Sequence, residues 1–595
     1  MRTRALRFLT TISLILLLLP LILGAEPTSD PNHPVYRAID RWSARGLVDQ
    51  LPVMQPYPLS ELENALRSVM ARGTPRERAE ADRYLAEITP VKPGRSFYGA
   101  PFVEGRLFTR DNETQPKAGF GLGLGGRLTE TISIGASAGG YAIERGVEDM
   151  LPSGDRSADD IVEDNAKVTV RGRDIYTLLQ INTQTTLEWD NLWIQAGIFR
   201  RSYGPFHDES PVISRFAPQS GNFILQYDLG PIRYTGTLSS HTATAVFNDI
   251  DEPGSDKNID VNQDGFEDFK DRTFQVPGKH LFIHSFGFRP AGWVELSIFE
   301  AVVFGPRLEP VYLVPLKFMW HAQGTAAFAD NSLIGFTVDL RPTPGLRIPV
   351  VVYVDDASFN DMVALNLDTK YKMATASAIQ WAPEAAWEPM FEVSYETVFP
   401  YMYTHSDLDP YTSEANFNNY LHQNTSIGNG LLPNSDRARI TAGVAPTRWL
   451  ELEVMGSLQR HGNASEGHLD QYLNDGGYYD NGREGEFFVF DNDGDNPNPD
   501  DLGWTRGDLT YNHRFDFLTQ EHIEYRYQAG VSGDVVVPVG RSSIRLGAGY
   551  TFEYVQNPLV YLWSETAGLN GGGGRTTTGS DKVNHYLEFE FRYTY

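Results

Sequence analysis

The last nine residues alternate without a break: Leu587, Phe589, Phe591, Tyr593 and Tyr595 hold one set of positions, and Glu588, Glu590, Arg592 and Thr594 the other. A period of two belongs to a β-strand, whose successive side chains point to opposite faces. One face here is large, apolar and aromatic, which suits lipid; the other is charged, which suits a polar lumen.

The same period governs most of the chain after about residue 95. Phe120, Leu122 and Leu124 alternate with glycines, residues 127–131 turn the chain, and Ile132, Ile134, Ala136 and Ala138 alternate back, which predicts a hairpin. The glycine string 119–126 superficially resembles a dinucleotide loop, but no apolar strand precedes it and no helix follows. A proline-containing turn followed by a strand recurs, as Pro290-Ala291-Gly292-Trp293-Val294-Glu295-Leu296 and Pro446-Thr447-Arg448-Trp449-Leu450-Glu451-Leu452, with variants at 342–350, 383–392 and 538–546. A tryptophan at the mouth of a strand fits a membrane-interface girdle, since its ring is apolar while its N–H seeks water. A soluble β-sandwich with core tryptophans is the competing reading, and it predicts more uniform loops. Instead, short turns alternate with long polar segments at 144–167, 247–272, 404–437, 460–506 and 556–582. The expectation is a transmembrane antiparallel β-barrel over 96–595, with about 16 to 18 strands. A terminal strand ending on an aromatic resembles the one that barrel-assembly machinery reads in bacterial outer-membrane proteins.

The N-terminal part reads differently. Arg2 and Arg4 followed by an apolar run from Leu14 to Leu23 and the small pair Gly24-Ala25 predict a secretory signal peptide over 1–25. Residues 26–95 are expected to form a small helical periplasmic domain or plug. Tyr36, Ile39 and Trp42 follow Pro34 at helical spacing and Gly46 is placed to end that helix. Ser60 and Glu63 read as a capping box ahead of Leu62, Leu66, Val69 and Met70, and Thr74, Pro75 and Glu77 start a third helix carrying Tyr84, Leu85 and Ile88. Three such helices are too few for a stable solitary domain.

There are no cysteines, which excludes disulfides, thiolate metal sites and a thiol nucleophile. A net charge of -27 argues against nucleic acid as a partner. The sharpest local motif is Asp260, Asn262, Asp264, Phe266, Asp268 and Asp271: oxygen donors at the first, third, fifth, ninth and twelfth positions, glycine at the sixth, and the Phe266 carbonyl at the seventh have the spacing of a calcium loop, with aspartate in place of the final glutamate. A solvated acidic loop explains the same residues. A second acidic run, Asp491 to Asp501, has only the first ligand positions. No G-x-S-x-G elbow or metalloprotease helix motif is present, and Ser240-His241 and His284-Ser285 are strand neighbours that face opposite sides, so catalysis is not expected. His321, His405 and His422 read as lumen or loop histidines. Tyr411, Phe417 and Tyr420, interleaved with Asn416, Asn418 and Asn419, are the candidate polysaccharide-binding residues, as rings flanked by polar side chains.

Four stretches together resemble the Wzi family of capsule-assembly outer-membrane proteins. They are Tyr36 to Leu47 followed by Pro58-Leu59-Ser60; Gly197-Ile198-Phe199-Arg200-Arg201-Ser202-Tyr203-Gly204-Pro205, with tyrosine where the family pattern has tryptophan; His280 to His284 leading into Phe299 to Gly305, Tyr312-Leu313-Val314-Pro315 and Asp330-Asn331; and Tyr420-Leu421-His422 with Ile427-Gly428. The resemblance implies a barrel of about 18 strands, blocked on the periplasmic side by the helical unit, whose outer loops bind capsular or other surface polysaccharide as a lectin. A diffusion porin is the alternative, and it would require an open lumen.

Overall fold

The computed structural model describes residues 30–49, 51–88, 97–111, 113–143, 150–152, 166–170, 173–206, 209–245, 278–314, 318–319, 321–322, 330–356, 372–399, 402–403, 415–423, 425–462, 517–518, 522–539, 542–564 and 573–594. The expected signal peptide and the calcium-loop residues lie outside them.

Helix α1 (Pro34–Ala44) starts with proline in its first turn, where the missing N–H costs nothing, and the His33 ring nitrogen accepts from Val35 N at 3.2 Å. It ends at Gly46, whose φ of +72° a side chain would strain. Helix α2 (Leu59–Arg72) corrects the capping prediction. It begins behind Pro58 with no side-chain cap, so Ser60 is already inside the first turn. The reciprocal box forms one helix later, at α3 (Pro75–Ile88): Thr74 N donates to Glu77 Oε2 at 2.7 Å and Glu77 N donates to Thr74 Oγ1 at 3.3 Å. Val35, Trp42, Leu62, Leu66, Val69, Ala81 and Tyr84 bury one another in a core made only of residues from this unit.

The remainder is a closed barrel. Its strands are β1 (Phe97–Arg110), β2 (Glu113–Arg127), β3 (Ile132–Ile143), β4 (Arg173–Glu188), β5 (Leu192–Phe199) and β6 (Ser220–Asp228). Next come β7 (Ile232–Thr242), β8 (Gly278–Ala291), β9 (Val294–Phe304), β10 (Asn331–Thr343), β11 (Leu346–Asp356) and β12 (Lys372–Trp381). The last six are β13 (Met390–Val398), β14 (Ser435–Thr447), β15 (Leu450–Gly462), β16 (Ile523–Val539), β17 (Ser542–Gln556) and β18 (Lys582–Thr594). All pairings are antiparallel between neighbours, and β18 closes the ring against both β17 and β1. That makes an 18-stranded barrel, within the expected range.

Alternation along each strand sets the two faces. Phe120, Leu179, Ile298, Ile379, Val393, Ile440 and Phe589 point outward and are each between 48 and 67% exposed. An apolar belt of that extent is the surface of a protein that lives in lipid. Trp189, Trp293, Trp381, Trp387 and Trp449 are half-exposed at the ends of strands beside the short turns. Their exposure rules out the sandwich reading and places the interfacial girdle at that end, which in such barrels is periplasmic.

The lumen is not uniformly polar, as the terminal strand alone would suggest. The inner faces of β5 to β12 are buried, largely apolar on β8, β9, β11 and β12 and polar along β7, and two connecting segments, residues 203–206 with 209–217 and 418–423 with 425–431, fold into the barrel to cover them. Phe299 on β9 packs against Tyr203 at 4.8 Å and Tyr353 on β11 at 5.6 Å between ring centroids. A side chain at Gly335 would collide with the Phe299 ring, so glycine is needed there.

Candidate functional site

The opposite half of the barrel, β13 to β18 with β1 to β3, keeps its interior open as a cavity of about 670 Å³. Alternate residues of the wall supply charge: Glu104 and Arg106 on β1, Asp534 on β16, Arg545 on β17, and Glu588, Glu590 and Arg592 on β18. These charges are paired across strands. Arg106 Nη2 donates to Glu588 at 2.6 Å, Arg545 Nε to Asp534 at 3.0 Å, and Arg592 lies 3.6 Å from Glu104. Aromatic rings lie beneath the cations. Arg106 stands 5.4 Å over Phe108, Arg592 5.3 Å over Phe102, and Lys117 4.2 Å over Tyr141. Tyr141 and Phe102 in turn lie on Gly119 and Gly121, where any side chain would strike the rings. Ring, cation and carboxylate are therefore fixed together, and the cavity presents oriented donors and acceptors.

The helical unit forms the floor. Its contacts reach strands around the ring: Arg37 pairs with Glu453 on β15, Asp40 with Arg347 on β11, Arg41 with Glu388 in the β12–β13 connection at 3.2 Å, and Glu63 with Arg127 on β2 at 3.5 Å. Arg76 also reaches Glu388, at 3.2 Å. A two-residue strand, Met54–Gln55, pairs with Ser202–Tyr203 and ties the unit to the dry half. His33, at the head of α1, faces the cavity; burial and then the Arg592 charge hold its imidazole down to about 3, so it stays neutral and keeps its capping role.

Of the candidate sugar contacts, Tyr411 lies outside the described residues. Phe417 is partly buried and its ring approaches the Gly305 backbone. Tyr420 corrects the surface reading: it is fully buried, its hydroxyl donates to Val212 O at 2.7 Å, and its ring stacks on Tyr403 at 5.5 Å. It organises the inward-folded segment and shows no face to a ligand. Asp260, Asn262, Asp264, Phe266, Asp268 and Asp271 lie outside the described residues.

A buried polar cluster was missed by inspecting sequence neighbours. Ser239 and His241, two apart on β7 and thus on one face, share a hydrogen bond of 2.7 Å, and Arg201 donates to both. Lys279 on β8 donates to Asn419 O at 2.7 Å, and His422 lies edge-on to His241 at 4.7 Å. Burial holds the Arg201 guanidinium down to about 10. Period-two counting from His241 reaches Ser239 and would have found that pair. All of these side chains are buried beneath the inward segments, so the cluster pins those segments to the wall.

No protein-family model and no curated protein matches the chain in sequence. Solved structures are similar in fold. Wzi, an outer-membrane protein of Escherichia coli involved in group 1 capsule assembly and described as a carbohydrate-binding β-barrel, aligns over 96% of this chain and 99% of its own, with a TM-score of 0.50 and 13% identity. The chain shares the fold of Wzi. Pseudomonas aeruginosa OccK8 (OprE) and Acinetobacter baumannii OccAB2 each align over 84% of the chain and 98% of their own length, at 10% identity and a TM-score of 0.38. With its lipid-facing belt and girdle, the protein is an outer-membrane β-barrel.

Proposed function

We propose that this barrel binds capsular or other surface polysaccharide and anchors it to the cell surface, without converting it chemically. The observation that carries the reading is the helical floor. Ion pairs tie it to β2, β11 and β15, and it lies where a diffusion porin needs an open path. The fold shared with Wzi, a carbohydrate-binding barrel, supports the same reading. Outer-membrane lipid meets the apolar belt, the barrel-assembly machinery would act on the chain during biogenesis, and nucleic acid has no place on a chain of this charge. Calcium at Asp260 to Asp271 would order an acidic outer loop.

The test is a pull-down of the host's own surface polysaccharide by detergent-folded protein, with and without a calcium chelator. Retention is expected. Loss of retention on chelation would bring the Asp260 loop into polymer binding, and failure to retain any polymer would overturn the reading.

A further inference from the structure

The outer loops are the obvious place for a polymer to bind, but the lumen also holds a cavity lined by oriented polar groups. We propose that the lumen cavity itself takes the end of an uncharged, hydroxyl-rich oligosaccharide chain; this rests on the polysaccharide reading above and adds where, and by which part, the polymer is held.

The volume of about 670 Å³ falls inside the roughly 300–1,000 Å³ range of small-ligand sites. Its lining argues for the ligand class. Twelve carboxylates and ten arginine or lysine side chains border it, a near balance in a chain whose net charge is -27. An anion or cation would gain little from a balanced wall and would have to break pairs such as Arg106–Glu588 and Arg545–Asp534 to bind. A hydroxyl both donates and accepts, so it can bridge an oriented cation and carboxylate without separating them. The rings beneath the cations fix those groups in advance, which lowers the entropy cost of binding. An apolar ligand would strand the same charges unsolvated.

Glycines supply an independent observation. Gly443 on β14 and Gly549 on β17 both line the cavity, and a methyl group on either would meet nothing closer than 3.9 and 3.8 Å respectively. Neither has a positive φ. Packing and backbone therefore do not demand glycine there, in contrast to Gly119, Gly121 and Gly335, where a ring occupies the space. What the two open glycines do is keep the lumen wide. Because α1 lies across the cavity below, a chain bound there would present a terminus to it.

Gly443→Phe and Gly549→Phe place a ring in the cavity from two different strands, and Gly443→Ala and Gly549→Ala add only a methyl group. The probe is a set of short fragments of the host's surface polysaccharide, with binding measured calorimetrically on protein whose heat-modifiable gel mobility shows a folded barrel. Both Phe variants are expected to bind at least about tenfold more weakly, a difference of about 1.4 kcal/mol, while the Ala variants bind as the parent does. Unchanged binding by a folded Phe variant would overturn the lumen site and leave the polysaccharide reading standing. Should the parent bind neither fragments nor intact polymer, both would fall.

Discussion

The two halves of the barrel interior are built on opposite principles. Between β5 and β12 the inner face is covered by inward-folded chain, with a large apolar cluster and a buried polar patch on β7 and β8, so the wall there has lipid on one side and a packed core on the other. From β13 round to β3 the inner face is charged, paired and open to a cavity. The outer faces of both halves are alike, so a single apolar belt runs round the closed sheet. One wall can therefore carry a rigid packed sector that fixes its shape and an open sector whose paired polar groups line a cavity.

The largest effect that separates the halves is the loss of a ring. Phe299→Ala should lower stability by about 3–5 kcal/mol through the cavity left against Tyr203 and Tyr353. Ser532→Ala, on the lumen face of β16, should change it by less than about 0.5 kcal/mol. Urea unfolding in lipid vesicles measures both; equal costs would erase the distinction.

Acid should weaken the dry half selectively. Burial, reinforced by Lys279 and Arg201, holds His422 down to about 4, whereas in the unfolded chain it protonates near 6.5. Its contribution is complete above pH 6.5 and is lost as pH falls from there through 4, by roughly 3 kcal/mol. His422→Gln should flatten that part of the stability profile, and an unchanged slope would show that the buried histidine is not its source.

The floor gives the smallest effect. Thr74→Ala should cost about 1 kcal/mol by removing the cap of α3, and Ser60→Ala close to nothing. Thermal unfolding followed by circular dichroism distinguishes them, and equal shifts would restore the box at Ser60.

The barrel was legible because its wall is a repeated physical pattern. Alternation in β18, the turn units at Trp293 and Trp449, and unequal loops gave the closed sheet, its girdle and nearly its strand number. The dry sector was also written in the chain, since β9 ends Ala301-Val302-Val303-Phe304 and β11 runs Val350-Val351-Val352-Tyr353-Val354, apolar on both faces where a water-filled lumen would demand alternation. The site was harder to read. Tyr420 stands among asparagines that suggest solvent, yet Asn418 and Asn419 are themselves buried, with carbonyls that accept from Asn331 and Lys279. The paired lumen charges belong to strands far apart in the chain, and Arg37 and Arg41 look like a solvated helix face until β15 and the β12–β13 connection are placed against them. Closure of the ring creates these contacts, and local pattern does not encode it.

The most direct test of a barrel closed by its own helices is electrical. Folded full chain inserted into a planar lipid bilayer at neutral pH should show no steady conductance, because α1 and its ion pairs lie across the path. A steady ohmic conductance from the same preparation would contradict the closed floor and make the protein a channel.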